Sequence, residues 1–356
     1  MPLLLAANHP NSFLDAIILG SLFKHPVHFL ARGDAFSNPL IKKLLIALKL
    51  IPIYRLKEGR EYLALNDATF EKCRNVLLTG GTLLIFSEGL CVNDFGLRPL
   101  KKGTARIALD AWLQPGLTST FKVLPVSISY NFFKGPGKHV LLHFGERIAH
   151  KDLPAKIGEG ETIQYFNQLL YEKLISGLLI VSNSDDRPIQ MLISNSNYIP
   201  KTKGDLILIL RQKLNFAKQL NIYSKIKRPF IITVGFKALL LNAIFLITFF
   251  PIVIVSYLFH GILYYPLKKI VNKKTNRTVF FDSTMFALLM LLYPVYWLIF
   301  LLATYIFSFP WWCKIIIITM PFIAWIHINW IHSLQRLSNY CKLSKSEKNL
   351  TRKLFG

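Results

Sequence analysis

The sequence predicts an α/β domain built on a mixed sheet flanked by helices, followed by a C-terminal α-helical membrane region. Three observations carry this. Over residues 1–176, short β-rich runs alternate with helical stretches. After Lys237, apolar runs without charge take over. The chain also combines 52% hydrophobic residues and a mean hydropathy of +0.38 with 43 Lys plus Arg against 19 Asp plus Glu, a net charge of +24. A nucleic-acid binder is basic but has no use for long apolar runs. A protein whose positive face meets anionic headgroups uses both. Membrane lipids are therefore the expected partner, and nucleic acid is not.

The elements follow in order. "PLLLAAN" (2–8) is a short strand, and "NSFLDAIIL" a helix starting near Asn11 or Ser12, both favoured N-cap residues that follow a Pro unable to continue a helix backward. Further strands are expected in "IPIY" (51–54), "TLLIF" (82–86), "FKVLPVSISY" (121–130) and "HVLLHFG" (139–145). Helices are expected in "REYLALNDATFEKCRNVLLTG" (60–80) and "KGTARIALDAWLQ" (102–114). Residues 177–230 form a basic, mostly helical connector, residues 231–335 the membrane-embedded helices, and residues 336–356 a basic cytoplasmic tail.

The runs at 238–259 and 284–307 carry no charge, and the run at 315–331 reaches ~20 residues with its preceding tryptophans, enough to cross a hydrocarbon core. Basic residues flank the first run on both sides and follow the third, whereas the link between the second and third carries none. The positive-inside rule then makes the second and third runs a hairpin of two crossings, with basic flanks cytoplasmic. The first run is either a third crossing or a re-entrant hairpin bent at Pro251. The membrane is a bacterial inner membrane or endoplasmic reticulum. Cys73, Cys91, Cys313 and Cys341 are scattered without a CxxC pair, so they are expected as reduced structural thiols, with no metal site. The N-terminus has no basic segment of the secretory kind.

Chemistry is expected where strands meet turns. His9 sits at a strand-to-helix turn, and Asp15, one turn into the helix, can fold back to hold one ring nitrogen so that the other acts as base. "IFSEGLC" (85–91) ends a strand on Glu88, with Gly89 permitting a tight turn. "IPIYR" ends a strand on Arg55, "LRPLKKGTARIAL" is a basic loop entering a helix with Arg98, Lys101 and Lys102, and "VLPVSI" is a strand interrupted by Pro125. Taken singly, each has a plain structural explanation: a surface carboxylate, an edge charge, a solvated turn.

In this order and spacing the four blocks resemble the glycerolipid acyltransferase family, over about Leu3 to Ile148. The first block is similar to the family's His-(x)4-Asp motif, the second to its Arg-bearing block, the third to its Phe-Pro-Glu-Gly block and the fourth to its Pro-containing strand. There are departures. Five residues separate His9 from Asp15, the spacing of the family branch with a His-Pro-Asn start. An extra residue inside a helix would rotate Asp15 by ~100°, so it is placed in the turn around Pro10. Ser87 stands where the family has Pro, and Leu90, Cys91 and Val92 stand where Thr-Arg-Ser often follows, which removes one phosphate-binding Arg.

The resemblance implies a membrane-bound enzyme of phospholipid synthesis that moves a fatty acyl group from a thioester donor, acyl-CoA or acyl carrier protein, to a hydroxyl of lysophosphatidic acid. Glycerol 3-phosphate or dihydroxyacetone phosphate is the alternative acceptor. It implies no cofactor, His9 as general base, Asp15 as its orienting partner, and Arg55, Arg98, Lys101 and Lys102 near the phosphate, with Glu88 and Gly89 lining the acceptor site. Backbone N–H groups near Asn11 and Ser12 are expected to face the oxyanion. A nucleophile-elbow GxSxG, a Walker A loop and a GxGxxG loop are absent from the sequence, so direct transfer is expected. A non-catalytic basic membrane-binding protein is the remaining reading, and it leaves the four ordered blocks unexplained.

Overall fold

The computed structural model describes residues 1–54, 64–154, 158–180, 187–195, 206–218, 236–275 and 278–349. Its contacts divide the chain into two units, Met1–Ser129 with Leu141–Ile180, and Tyr130–Val140 with Val181–Gly356.

The first unit is built on a six-stranded sheet of order β3-β2-β4-β1-β5-β6. The strands are β1 (Leu3–Ala7), β2 (Val27–Arg32), β3 (Leu50–Ile53), β4 (Thr82–Phe86), β5 (Lys122–Tyr130) and β6 (Val140–Phe144). The β1–β4, β1–β5, β2–β3 and β2–β4 pairs are parallel. β6 returns antiparallel to β5: Asn131 donates to His139 and Gly145 donates to Pro125, so the pairing runs in opposite directions along the two segments. The sheet is therefore mixed.

The parallel connections need crossover helices, and their right-handedness decides which face each helix covers. α1 (Phe13–Ser21) and α2 (Pro39–Ala47) lead toward the β3 edge; α3 (Leu65–Leu78) and α4 (Lys102–Trp112) lead toward the β6 edge and lie on the opposite face. The core confirms this placement. Leu4, Ala6, Leu30, Ile51, Leu83, Ile85 and Val123, alternate residues of five strands, pack with Cys73 and Leu77 of α3 and with Ala105, Ala108 and Trp112 of α4. Phe166, Leu170 and Leu174 of α5 (Glu159–Ser176) complete that layer. Pro125 is tolerated within β5 because its carbonyl, and hence its missing N–H, faces Gly145 just beyond the end of β6.

α2 is unusual. Asn38 caps it by accepting from the N–H groups of Leu40 and Ile41 at 2.9 and 3.2 Å, yet none of its residues is buried. Leu40 is 78% exposed, and Ile41, Leu44 and Leu48 share its stripe of the helix and are exposed with it.

The second unit is helical: α6 (Arg187–Asn195), α7 (Leu206–Lys218), α8 (Phe236–Thr275), α9 (Phe281–Ile306) and α10 (Trp311–Lys342), with the β5–β6 connection counted among its contacts. α8, α9 and α10 are each long and apolar enough to cross a membrane. α8 has 40 residues, about 60 Å, twice a ~30 Å hydrocarbon core. It passes through Pro251 and Pro266 as one helix, so the re-entrant turn expected as an alternative at Pro251 is not formed. α9 folds back along α8, where the Tyr296 hydroxyl donates to the Phe259 carbonyl at 2.7 Å. α10 is tied to both, Trp330 donating to Leu246 and Trp297 to Ile317.

Candidate active site

β1 and β4 are parallel neighbours in register from Leu3↔Thr82 to Ala7↔Phe86, so the residues that follow them emerge side by side at the same edge of the sheet. His9 follows β1, and Ser87, Glu88 and Gly89 follow β4. Their juxtaposition comes from strand order, not from sequence proximity.

The two turns are tied together at several points. The Ser87 N–H donates to the Ala7 carbonyl at 2.9 Å, a bond that a Pro at this position could not make. The His9 N–H donates to Glu88 Oε1 at 2.7 Å. Val92 donates to the His9 carbonyl, and Asn93 Nδ2 to the Pro10 carbonyl at 2.8 Å. Asn8 clamps the other side, donating to the Ile128 carbonyl at 3.0 Å and accepting from the Ile128 N–H at 2.7 Å.

Within this frame His9 Nδ1 lies 2.9 Å from Asp15 Oδ2. The same oxygen accepts the Asn11 N–H at 2.8 Å. Asp15 is fully buried, while the His9 side chain is 17% exposed. The imidazole stacks flat on Phe86, with ring centroids 3.7 Å apart and planes 9° apart. Asp15 thus accepts a hydrogen bond from His9 Nδ1–H, Phe86 fixes the ring plane, and Nε2 is the nitrogen that Asp15 does not hold. The turn residues 9–12 precede the helix, which starts at Phe13, so the extra residue of the His-to-Asp spacing lies in the turn.

Glu88 is buried and receives three donors: the His9 N–H, the Arg98 N–H at 3.3 Å and Arg98 Nε at 2.8 Å. Arg98 also donates through Nη2 to the Leu90 carbonyl. Gly89 adopts φ 67°, and a Cβ there would sit 2.9 Å from Lys101 Cγ, so both backbone and space call for glycine. Lys101 N-caps α4 and donates its N–H to the Ser87 carbonyl at 2.8 Å; the side chains of Lys101 and Lys102 are exposed. Ser87 Oγ receives Thr104 Oγ1 at 3.0 Å.

The structure therefore gathers His9, Asp15, Glu88, Gly89, Arg98 and Lys101 at one sheet edge, with Lys102 next in the chain. Arg55 lies outside the described residues. The expected oxyanion donors are not free: the Asn11 N–H is held by Asp15, and the Ser12 N–H by Cys91 Sγ at 2.7 Å. Ser12 takes φ 50°, a left-handed backbone rare for a residue with Cβ, which turns its N–H onto the sulfur. Burial pushes the Cys91 thiol up to about 12. Phe86 and Asn8 were not singled out in the sequence, and Cys91 was expected only as a structural thiol standing in an arginine's place. The one local signal for Phe86 and Asn8 was their position within one or two residues of His9 and Glu88.

A family model described as Acyltransferase matches residues 1–129. The chain is also similar to the crystal structure of the 1-acyl-sn-glycerophosphate (lysophosphatidic acid) acyltransferase from Thermotoga maritima, at 22% identity and a TM-score of 0.33, over 49% of this chain and 65% of that one. The match thus spans less than two thirds of that enzyme's length. No curated protein matches the chain.

Proposed function

We propose, from the Acyltransferase family match over residues 1–129, that the chain is a membrane-bound glycerolipid acyltransferase. It moves a fatty acyl group from a thioester, acyl-CoA or acyl-acyl carrier protein, to the free hydroxyl of lysophosphatidic acid. The observation that carries this reading is the His9–Asp15 pair at 2.9 Å, held in one plane by Phe86 and tied by its backbone to Glu88.

The mechanism follows from the geometry. His9 Nε2 removes the proton of the acceptor hydroxyl as its oxygen attacks the thioester carbonyl. The imidazolium that forms faces the buried Asp15 carboxylate. The tetrahedral intermediate collapses, the C–S bond breaks, and the Nε2 proton passes to the departing thiolate. The products are an ester and a free thiol, and His9 is neutral again. The exposed side chains of Lys101 and Lys102 and the guanidinium of Arg98 supply positive charge for the acceptor's phosphate.

The acceptor is a membrane lipid, and α2 suits a membrane edge. Its N-terminus follows β2 and so starts at the same sheet edge as His9, and its exposed apolar stripe is accompanied by Lys42 and Lys43. α8, α9 and α10 anchor the chain, and the basic residues Lys268, Lys269, Lys273 and Lys274 at the end of α8 support placing that end on the cytoplasmic side.

The deciding experiment offers the purified full chain acyl-CoA together with glycerol 3-phosphate or lysophosphatidic acid in parallel, with products resolved by mass. A diacyl product from lysophosphatidic acid is expected, and His9→Ala should lower its rate by on the order of 10²–10⁴ while the variant stays membrane-bound. Acylation of glycerol 3-phosphate alone would move the reading to that acceptor. A wild-type chain that acylates neither substrate and remains on membranes would make it a non-catalytic membrane-binding protein.

A further inference from the structure

The helical unit forms a half-open cavity of about 1040 Å³ that the acyl-transfer mechanism does not use. Its walls come from α8, α9, α10 and the β5–β6 connection, all within the second unit. The connection is built into the wall. Asp282 at the start of α9 accepts the Gly135 N–H at 2.9 Å through Oδ1 and pairs with Lys138 through Oδ2. Both side chains are about nine-tenths buried, at 9% and 10% exposure. Lys138 also donates to the Gly135 carbonyl at 2.6 Å. Gly137 has φ 76°, and a Cβ there would lie 2.3 Å from the His332 ring, so only glycine allows this approach.

The cavity has a charged end and an apolar end. Lys268 and Asn272, one turn apart on α8, line it together with Lys134 of the connection. Tyr257, about 16 Å along α8 from Lys268, lines the far end, and Ala324 lines the cavity on α10. From Tyr257 to Asn272 the α8 wall is about 22 Å long, enough for one leaflet of a ~30 Å hydrocarbon core plus a headgroup. Asp282 is the one carboxylate in α8, α9 and α10, and Lys138 takes it. Lys134 and Lys268 make no ion pair among the described residues. The Tyr293 hydroxyl and both ring nitrogens of His260 beside it are buried without a hydrogen-bond partner among the described residues. Polar groups of this kind within membrane-spanning helices mark a ligand path.

We infer that this cavity binds one anionic phospholipid, its phosphate held by Lys134 and Lys268 and an acyl chain lying between α8 and α10 toward Tyr257. The site is separate from His9 and stands whether or not the acyl-transfer reading does.

The test uses the full chain purified in detergent, moved into nanodiscs of phosphatidylcholine doped with phosphatidic acid, and native mass spectrometry to count lipid retained after release. One retained phosphatidic acid per chain is expected. Lys134→Ala/Lys268→Ala should weaken retention at least tenfold, and Ala324→Phe should do so by filling the cavity without touching charge. Lys273→Ala/Lys274→Ala, which alters basic residues outside the cavity lining, should leave it unchanged, as should His9→Ala. Inorganic phosphate should not displace the lipid; displacement would show a phosphate site without a lipid chain and overturn the proposal. Equal retention of phosphatidylcholine, full retention by the Lys134/Lys268 variant while it keeps the wild-type elution volume, or loss of lipid on His9→Ala would also overturn it.

Discussion

Asp15→Asn separates charge from geometry at the candidate base. Oδ2 of Asp15 receives both His9 Nδ1 and the Asn11 N–H, at 2.9 and 2.8 Å. Two donors converging on one oxygen dictate that the variant's amide turns its oxygen to that place, so the imidazole keeps its tautomer and its plane against Phe86. What is lost is the negative charge opposite the imidazolium. At an effective dielectric of ~20, two unit charges ~4 Å apart interact by ~4 kcal/mol. If about half a charge has developed on the ring in the transition state, ~2 kcal/mol is forfeited, roughly 30-fold in kcat. KM for the acceptor should not move. Asp15→Ala should cost more, because the Asn11 N–H then loses its acceptor and the ring its orientation, approaching the His9→Ala level. The assay is steady-state acylation of lysophosphatidic acid by wild type and the three variants, each checked for folding by its melting temperature. The reasoning is refuted if Asp15→Asn keeps the full rate, or if it loses as much as His9→Ala with the fold intact.

Three further perturbations probe other parts of the chain. Gly89→Ala meets both a positive φ and a 2.9 Å approach to Lys101 Cγ, so it should destabilise by at least ~1 kcal/mol, read as a lowered urea midpoint at unchanged m-value. Burial pushes the Cys73 and Cys91 thiols up to about 12 from 9.0. In alkylation at pH 8 they should stay unmodified while exposed Cys341 reacts; modification of Cys91 at the rate of Cys341 would contradict its burial. The folded chain holds these two protons more tightly than the unfolded one, so their contribution to stability is complete below about pH 9 and falls as pH rises toward 12. Finally, Lys138→Met leaves Asp282 buried without its cation and should destabilise the helical unit by ~3 kcal/mol, whereas Lys138→Met/Asp282→Leu should recover most of that loss. Equal destabilisation by the single and double variants would show that the pair is not coupled.

The sequence disclosed the strands best where apolar runs were short and bounded. Leu3–Ala7, Thr82–Phe86 and Lys122–Tyr130 lie within a residue or two of expectation. β2 was missed because "VHFLAR" sets His28 and Arg32 among apolar residues and breaks the alternation that marks a strand. α5 was missed although Ile163, Phe166, Leu170 and Leu174 carry a helical spacing, and these residues proved to be core. At the site, the sequence could place His9 and Asp15 together because a turn and half a helical turn separate them. It could not place Glu88 on the His9 backbone, since that bond joins residues 79 apart and depends on β1 and β4 being neighbours. Strand order is a property of the whole sheet, and no local stretch encodes it.

Cys91 stands where the family motif that the third block resembles often carries an arginine, and its surroundings suit a sulfur. Cys91 is partly buried against the turn that carries His9, and its Sγ accepts the Ser12 N–H. Position 91 therefore carries no positive charge beside His9. Arg98 compensates only in part. Its Nε and backbone N–H are committed to the buried Glu88 carboxylate and its Nη2 to the Leu90 carbonyl, so its first task is to hold the Glu88 turn in shape. Removing Arg98 would leave that carboxylate buried with only the His9 N–H among these donors, and the damage would reach the His9 backbone before it reached a bound phosphate. Among the described cations of this loop, Lys101 and Lys102 have their ammonium groups outside the core, and Lys101 is fixed by its own backbone bond to Ser87. If the proposed acceptor binds here, its phosphate should meet first the N-terminal turn of α4, where the helix's own N–H dipoles add to the two lysines.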